Sequence, residues 1–250
     1  MVRYIMTVVS PPIANMQGRK NAKNLSTAEQ TNFINGITKL INNFTYGELV
    51  AVHGDMSHNM HAGMNPNAPA GVEQQRFLPW HRAYLLTLEH MAQKYEPTFF
   101  IPYWDWANDQ QVPLWIQTFL PNVSLPTEMG NPMSVPVARS PPKGLLPTPV
   151  KVQNVLSQNN YTNFAVALEG LHDSVHSWFG NNSTMADIMV APADPMFFMH
   201  HANVDRIWSQ WQTNVSNQNP NLTGDDQVLD PFPYKEVDTR SIQTMGYTYL

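Results

Sequence analysis

Asp194-Pro195-Met196-Phe197-Phe198-Met199-His200-His201-Ala202-Asn203-Val204-Asp205-Arg206-Ile207-Trp208 decides how the rest of this chain reads. Asp194 suits an N-cap, and Pro195 suits the first helical position, where a missing N–H costs nothing. At 100° per residue His201, Asp205, Trp208 and Gln212 fall on one stripe, and His200, Val204, Ile207 and Trp211 on its neighbour. A helix so rich in aromatics belongs in a core. Two adjacent histidines on it need partners, because an unpaired buried polar group is costly. Taken alone, His200-His201 reads as a hydrogen-bonded pair of core histidines. Histidines elsewhere in the chain change that reading.

Working back toward the N-terminus, the segment from Tyr161 to Phe179 has helical periodicity and is ended by Gly180 at a C′ position. Glu169, His172 and His176 stand on it at i, i+3 and i+7, a single stripe. An HxxxH pair places two imidazoles on consecutive turns of one face, where both reach one metal. A zinc site of the HExxH type would need Glu after the first histidine; here that residue is Asp173. A further helix is expected over Trp80–Tyr95, with His81, Leu85, Leu88 and Ala92 on its inner face. His90 lies nine residues after His81, about 13 Å along the axis and on the opposite side, so it reads as an ordinary, partly exposed residue. Tyr46, Leu49, Val50 and His53 mark another helix, which Gly54 can end, and an Asn/Pro/Gly-rich loop runs from there to about Gln75. Ser26-Thr27-Ala28-Glu29 is a capping box opening a helix whose apolar face is Phe33, Ile34, Ile37, Leu40, Ile41 and Phe44. Residues 1–25 read as an extended arm, Phe99 to Trp106 as an aromatic crossing, and residues 112–150 as a Pro-rich surface excursion. The expected fold is mainly α, a helical bundle of four or five core helices with long irregular loops, forming one domain over residues 1–250.

The 250 residues suffice for a substantial core. Charged residues make up only 13%, and the net charge of −5 offers no basic face for nucleic acid. No run is long enough for a membrane span, and Tyr4–Val9 is too short, with no clear cleavage site, for a signal peptide. Cysteine is absent, which excludes disulfides and thiolate ligands and leaves histidine and carboxylates for any metal. The compartment stays open between the cytoplasm and a secreted, disulfide-free state. Neutral imidazole suits copper, and a cysteine-free nitrogen set is compatible with copper cycling between two oxidation states. Two clusters of three histidines on facing helices would hold a copper pair with room for dioxygen, able to take two electrons from a bound catechol.

Four stretches together resemble the type-3 dicopper proteins, the tyrosinases, catechol oxidases and hemocyanins. They are Arg76-Phe77-Leu78-Pro79-Trp80-His81-Arg82-Ala83-Tyr84-Leu85 with Glu89 beyond it, Pro102-Tyr103-Trp104-Asp105-Trp106, His172-Asp173-Ser174-Val175-His176-Ser177-Trp178, and Asp194 to Trp208. The closing Tyr247-Thr248-Tyr249 is similar to the end of that family's core domain. The resemblance implies four core helices enclosing two copper ions, with O2 as co-substrate. It makes His53 and His81 copper-A ligands and His172, His176 and His201 copper-B ligands. His200 then becomes a neighbour hydrogen-bonded near the site, and Glu89 structural. Asp205 is left with two roles, accepting an imidazole N–H or pairing with Arg82 or Arg206. The implied activity is oxidation of o-diphenols to o-quinones and ortho-hydroxylation of monophenols, with catechol oxidation alone or reversible oxygen carriage as alternatives. Carriers in the family have an extra shielding domain; with none visible here, an open site is expected. Homo-oligomerisation and a copper-delivery protein are left open.

The chain also departs from the family's pattern. The histidine usual nine residues before His81 is replaced by Val72, so the third copper-A imidazole must be His58 or His61. If the His53 helix ran past Gly54, His61 would lie nearer the face of His53, and His61 is the expected ligand. Without cysteine there is no Cys–His thioether, as in the bacterial enzymes. Asp173 stands where hydroxylating members often have Asn, and Glu169 matches the glutamate that orients a water for phenol deprotonation. These two carboxylates are the expected catalytic groups. Ile188, thirteen residues before His201, falls where a bulky Phe restricts access in some members, and its smaller side chain points to an accessible site.

Overall fold

A computed structural model describes residues 17–127, 132–140, 142–214 and 218–250. Most of the expected N-terminal arm, residues 1–16, lies outside the described residues. The described chain begins with a short strand, β1 (Gln17–Arg19), and continues into the capped helix α1 (Thr27–Asn42). Both halves of the capping box form: Ser26 Oγ accepts from the Glu29 N–H, and Glu29 accepts from the Ser26 N–H at 2.8 Å. α2 (Thr45–Gly54) comes directly after it.

α3 (Val72–Gln93) starts eight residues earlier than its periodicity predicts, with Pro79 inside it. A proline there removes the N–H that would bond the carbonyl four residues back. That carbonyl, of Gln75, instead accepts from the Tyr161 hydroxyl at 3.2 Å, so a neighbouring helix supplies what the sequence lacks. From Arg76 to Glu89 every residue of α3 is buried, so this helix has no solvent face over that span.

The Pro-rich stretch is more than a surface excursion. It contains an antiparallel hairpin, β2 (Asn122–Leu125) with β3 (Met133–Pro136), and ends in α4 (Pro149–Leu156). Ile116, Val123, Leu125, Val137 and Leu146 are buried in the core. Arg139 reaches Asp194 with two nitrogens, at 2.6 and 2.7 Å, and so ties this stretch to the residues that open the last core helix. α5 (Tyr161–Trp178) is capped by Asn160, whose side chain accepts from the Asn163 N–H. α6 (Met196–Trp211) begins after Pro195, and the Asp194 carboxylate accepts from the Met196 N–H at 2.9 Å. The polar C-terminal stretch ends in β4 (Tyr247–Tyr249), which pairs in parallel with β1. Among the described residues no helix is long and apolar enough to cross a membrane.

A buried ionic network joins these ends to the bundle. Arg19 grips Glu89 at 2.6 and 3.0 Å, and Arg82 bonds Asp205 at 2.5 Å while its guanidinium lies 3.6 Å over the Trp208 ring. Asp205 also accepts from the hydroxyls of Tyr247 and Tyr249 at 2.7 and 2.5 Å. Burial alone would raise the Asp205 carboxyl, but Arg82 and Arg19 hold it below the usual range.

The α2–hairpin contact sets a glycine requirement. A Cβ on Gly47 would sit 1.9 Å from the Ser124 carbonyl oxygen, whereas one on Gly170, on the solvent side of α5, would meet nothing within 4 Å. Gly47→Ala is therefore expected to lose at least about 1–3 kcal/mol, and Gly170→Ala to gain about 0.5–1 kcal/mol. Urea unfolding of the two metal-free variants checks both signs. Wild-type stability in Gly47→Ala would refute the close approach.

Candidate metal centre

α2, α3, α5 and α6 each turn histidine toward one core region, and a loop adds another. His53 ends α2, His81 sits mid-way along α3, His172 and His176 occupy consecutive turns of α5, and His200 and His201 lie on α6. His61 arrives from the α2–α3 loop and is buried. Its Nε2 lies 3.1 Å from that of His53, and its ring centroid 4.9 Å from that of His81. In the other set, the His172 Nε2 lies 3.1 Å from the His201 Nε2 and 3.0 Å from the His176 Nε2. Within each set the nearest ring nitrogens all fall within 4.8 Å of one another. The sets meet where His81 stacks on His201 at 4.3 Å and His61 faces His172 at 5.8 Å.

The far side of the rings explains their orientation. Nδ1 of His53 donates to the Ile188 carbonyl at 3.1 Å, that of His81 to the Phe77 carbonyl at 2.7 Å, and that of His176 to the Met185 carbonyl at 2.5 Å. His172 Nδ1 donates to the Asp173 carboxylate at 3.0 Å. These partners put the proton on Nδ1 and leave the Nε2 lone pair facing inward. Burial lowers the imidazole pKa values, to about 3 for His81 and about 4 for His176, so the rings are neutral. Neutral rings with lone pairs about 3 Å apart repel one another, and a cation among them removes the conflict. The buried Nε2 of His81 has no hydrogen-bond partner, another sign that the site fits a metal.

Among the expected copper-A ligands, His53, His61 and His81 come together. His61 gets there by a loop, because α2 stops at Gly54; the continued helix that favoured it in the sequence does not exist. His58 is turned away, its Nδ1 2.6 Å from Asp230 and its ring on Trp80. His172, His176 and His201 form the second group with His200 as a fourth member. His200 stacks on His172 at 5.0 Å. Asp205 accepts from no imidazole, because its oxygens are taken by Arg82, Arg19, Tyr247 and Tyr249. Glu169 stands one turn before His172 and accepts from the Ala62 N–H at 3.0 Å; burial raises its carboxyl to about 7. Ile188, Asp173, Ser177, Met185, Ala186 and Ala191 line a cavity of about 180 Å³ with four of the histidines.

Two site residues, Phe77 and Phe197, carry no polar signal in the sequence and were not expected there. Phe77 packs on His81 and His172 at 4.9 and 5.0 Å, and Phe197 stacks on His201 at 4.0 Å. Each stands four residues before a site histidine, a helical spacing that could have marked them.

Two facing sets of inward imidazoles in a helical core define a dinuclear, all-histidine metal protein. Residues 43–144 and 139–214 match the common central domain of tyrosinase. The chain is 30% identical over 234 residues to the tyrosinase of Streptomyces glaucescens, covering 79% of this chain and 83% of that protein. A functional unit of octopus hemocyanin superposes with a TM-score of 0.70 at 21% identity, over 93% of this chain and 68% of the other. Grenache (Vitis vinifera) polyphenol oxidase superposes with a TM-score of 0.68 at 20% identity, over 100% and 89%. With its domain matched over more than half its length, this chain belongs to the tyrosinase family. It is a copper oxidoreductase that uses two copper ions and O2.

The depressed imidazoles set a pH dependence. Free histidine takes up a proton near 6.5, whereas these rings resist one until about 4 or below, so unfolding in that window binds protons. The stability they contribute is complete above about 6.5 and is lost on acidification through the folded values. Glu169 opposes this, since its raised carboxyl favours the folded state below about 7, but it is one group against several. The melting temperature of the metal-free protein is expected to fall steadily from pH 6.5 to 4. A flat or rising profile would contradict neutral buried imidazoles.

Proposed function

We propose that the chain oxidises o-diphenols to o-quinones and ortho-hydroxylates monophenols, with His53, His61 and His81 holding one copper and His172, His176 and His201 the other. The inward convergence of Nε2 atoms, with Nδ1 of His53, His81, His172 and His176 tied behind, carries this reading. When bound, copper supplies the redox chemistry through which electrons pass from the phenol to O2. The protein supplies shape, orientation and proton handling.

Ser177, Asp173 and Ala186 on the cavity lining are exposed, so the cavity opens to solvent beside the histidines. Its volume of about 180 Å³ is below the ~300 Å³ at which pockets for drug-sized ligands begin and suits a single-ring substrate. Ile188, half-buried on the wall, leaves that mouth passable. An open mouth favours an oxidase over a reversible carrier, whose metal pair must be kept from reductants.

Glu169 acts as the base. Its Oε1 is committed to the Ala62 N–H, which leaves Oε2 to accept a phenolic proton, and a carboxyl raised to about 7 has the proton affinity for it. Copper in the neighbouring set would favour the carboxylate form and lower that value. Asp173 faces the His172 Nδ1, where it fixes the ring, and so serves the reaction through orientation.

Glu169→Gln is expected to slow monophenol hydroxylation by about 10²–10⁴-fold while catechol oxidation stays within a few-fold of wild type. Paired assays on a monophenol and its catechol, with trace catechol as primer, check this. Equal losses on both substrates would remove Glu169 from proton transfer.

A further inference from the structure

A histidine on a helix is aimed by the helix; His61 has no such support. After α2 the chain makes a 3-10 turn at Met56–His58, passes through Asn59 in the left-handed region at φ 53°, and reverses direction over residues 61–64. The reversal is closed by the Met64 N–H donating to the His61 carbonyl at 3.3 Å. Gly63, at φ 74°, takes the third position, where such a turn needs glycine.

Carboxylates from two helices hold this turn. Glu73, in the first turn of α3, accepts from the Gly63 N–H at 2.6 Å through Oε2 and from the Asn65 N–H at 2.9 Å through Oε1. Glu169 on α5 takes the Ala62 N–H just before them. Glu73 is buried, and among the described residues no Lys, Arg or His pairs with it. Its charge is therefore met by the backbone donors of the turn, and bonds from N–H groups to a carboxylate are the stronger kind.

We infer that Glu73 is a positioning residue for the metal centre: by gripping Gly63 and Asn65 it fixes the turn that brings His61 to His53 and His81. This rests on the reading of His61 as a copper ligand. Val72 cannot ligate, and the next residue, Glu73, fastens the loop that supplies the imidazole instead. Glu73 touches neither substrate nor metal, and acts through His61.

Copper titration of the metal-free protein against a competing chelator tests this in Glu73→Ala, Glu73→Gln and His61→Ala. In Glu73→Ala, one of two copper equivalents is expected to bind about 10–100-fold more weakly, the usual cost of losing a group that orients a ligand, and the other with wild-type affinity. Glu73→Gln, whose amide keeps one acceptor oxygen, should fall between, and it stands in if the alanine variant does not fold. Amide exchange at Gly63 and Asn65 in the metal-free protein should quicken in step. Unchanged binding of both coppers, or equal weakening of both, would overturn the positioning role; equal weakening is what a purely structural carboxylate would give. If His61→Ala loses one copper while the Glu73 variants keep both, only the positioning role fails. If His61→Ala itself keeps both coppers, the ligand assignment falls and the role of Glu73 with it.

Discussion

Neutral imidazoles whose lone pairs face one another across about 3 Å, as those of His172 and His176 do, are tolerable only with a cation among them, and this core gathers two sets of inward-facing rings. Protonation is not a way out, because burial has pushed the rings far below their ordinary range. The acceptors behind the rings answer the same constraint. The carbonyls of Ile188, Phe77 and Met185 and the Asp173 carboxylate each take an Nδ1 proton and so commit an Nε2 inward. Two of the carbonyls belong to the stretch of loops and short 3-10 turns before α6, which gives that stretch a function beyond joining α5 to α6.

The registry of α3 against α6 decides whether the two sets face each other. Arg82 comes directly after His81, and Asp205 lies one turn beyond His201, so their ion pair locks the two helices where His81 and His201 stack. A buried ion pair contributes little net stability, but losing one partner strands the other at about 3–5 kcal/mol. Its role here is to forbid other registers. Arg19, Glu89 and the two C-terminal tyrosines extend the same network, so strands from both ends of the described chain clamp the helices that carry the metal site.

Local periodicity and capping made much of this visible in the sequence. Ser26 and Glu29, the Glu169/His172/His176 stripe and the His200-His201 helix can be read from spacing alone. The early start of α3 cannot, because Pro79 reads as a break unless one knows that Tyr161, more than eighty residues on, satisfies the Gln75 carbonyl. The hairpin and α4 were hidden by prolines that flank the strands, close β3 at Pro136 or open a helix, Pro149 being the first residue of α4. Helical spacing favours His61 over His58 only for a helix that does not continue, and what selects it is the turn held by Glu73 and Glu169. Asp205 could not be resolved from sequence, since Arg19 and Tyr247 are brought to it only by the parallel pairing of β1 with β4. Each of these depends on contacts between distant residues, which no local pattern encodes.

The central claim is that six of these histidines hold two coppers, three to each, while His200 and His58 hold none. X-ray absorption spectroscopy of the copper-loaded protein, with copper counted per chain, tests this most directly. Two coppers per chain, each surrounded by about three imidazoles, is the expected result. A single copper bound by four imidazoles would place the metal among His172, His176, His200 and His201 alone and contradict the account.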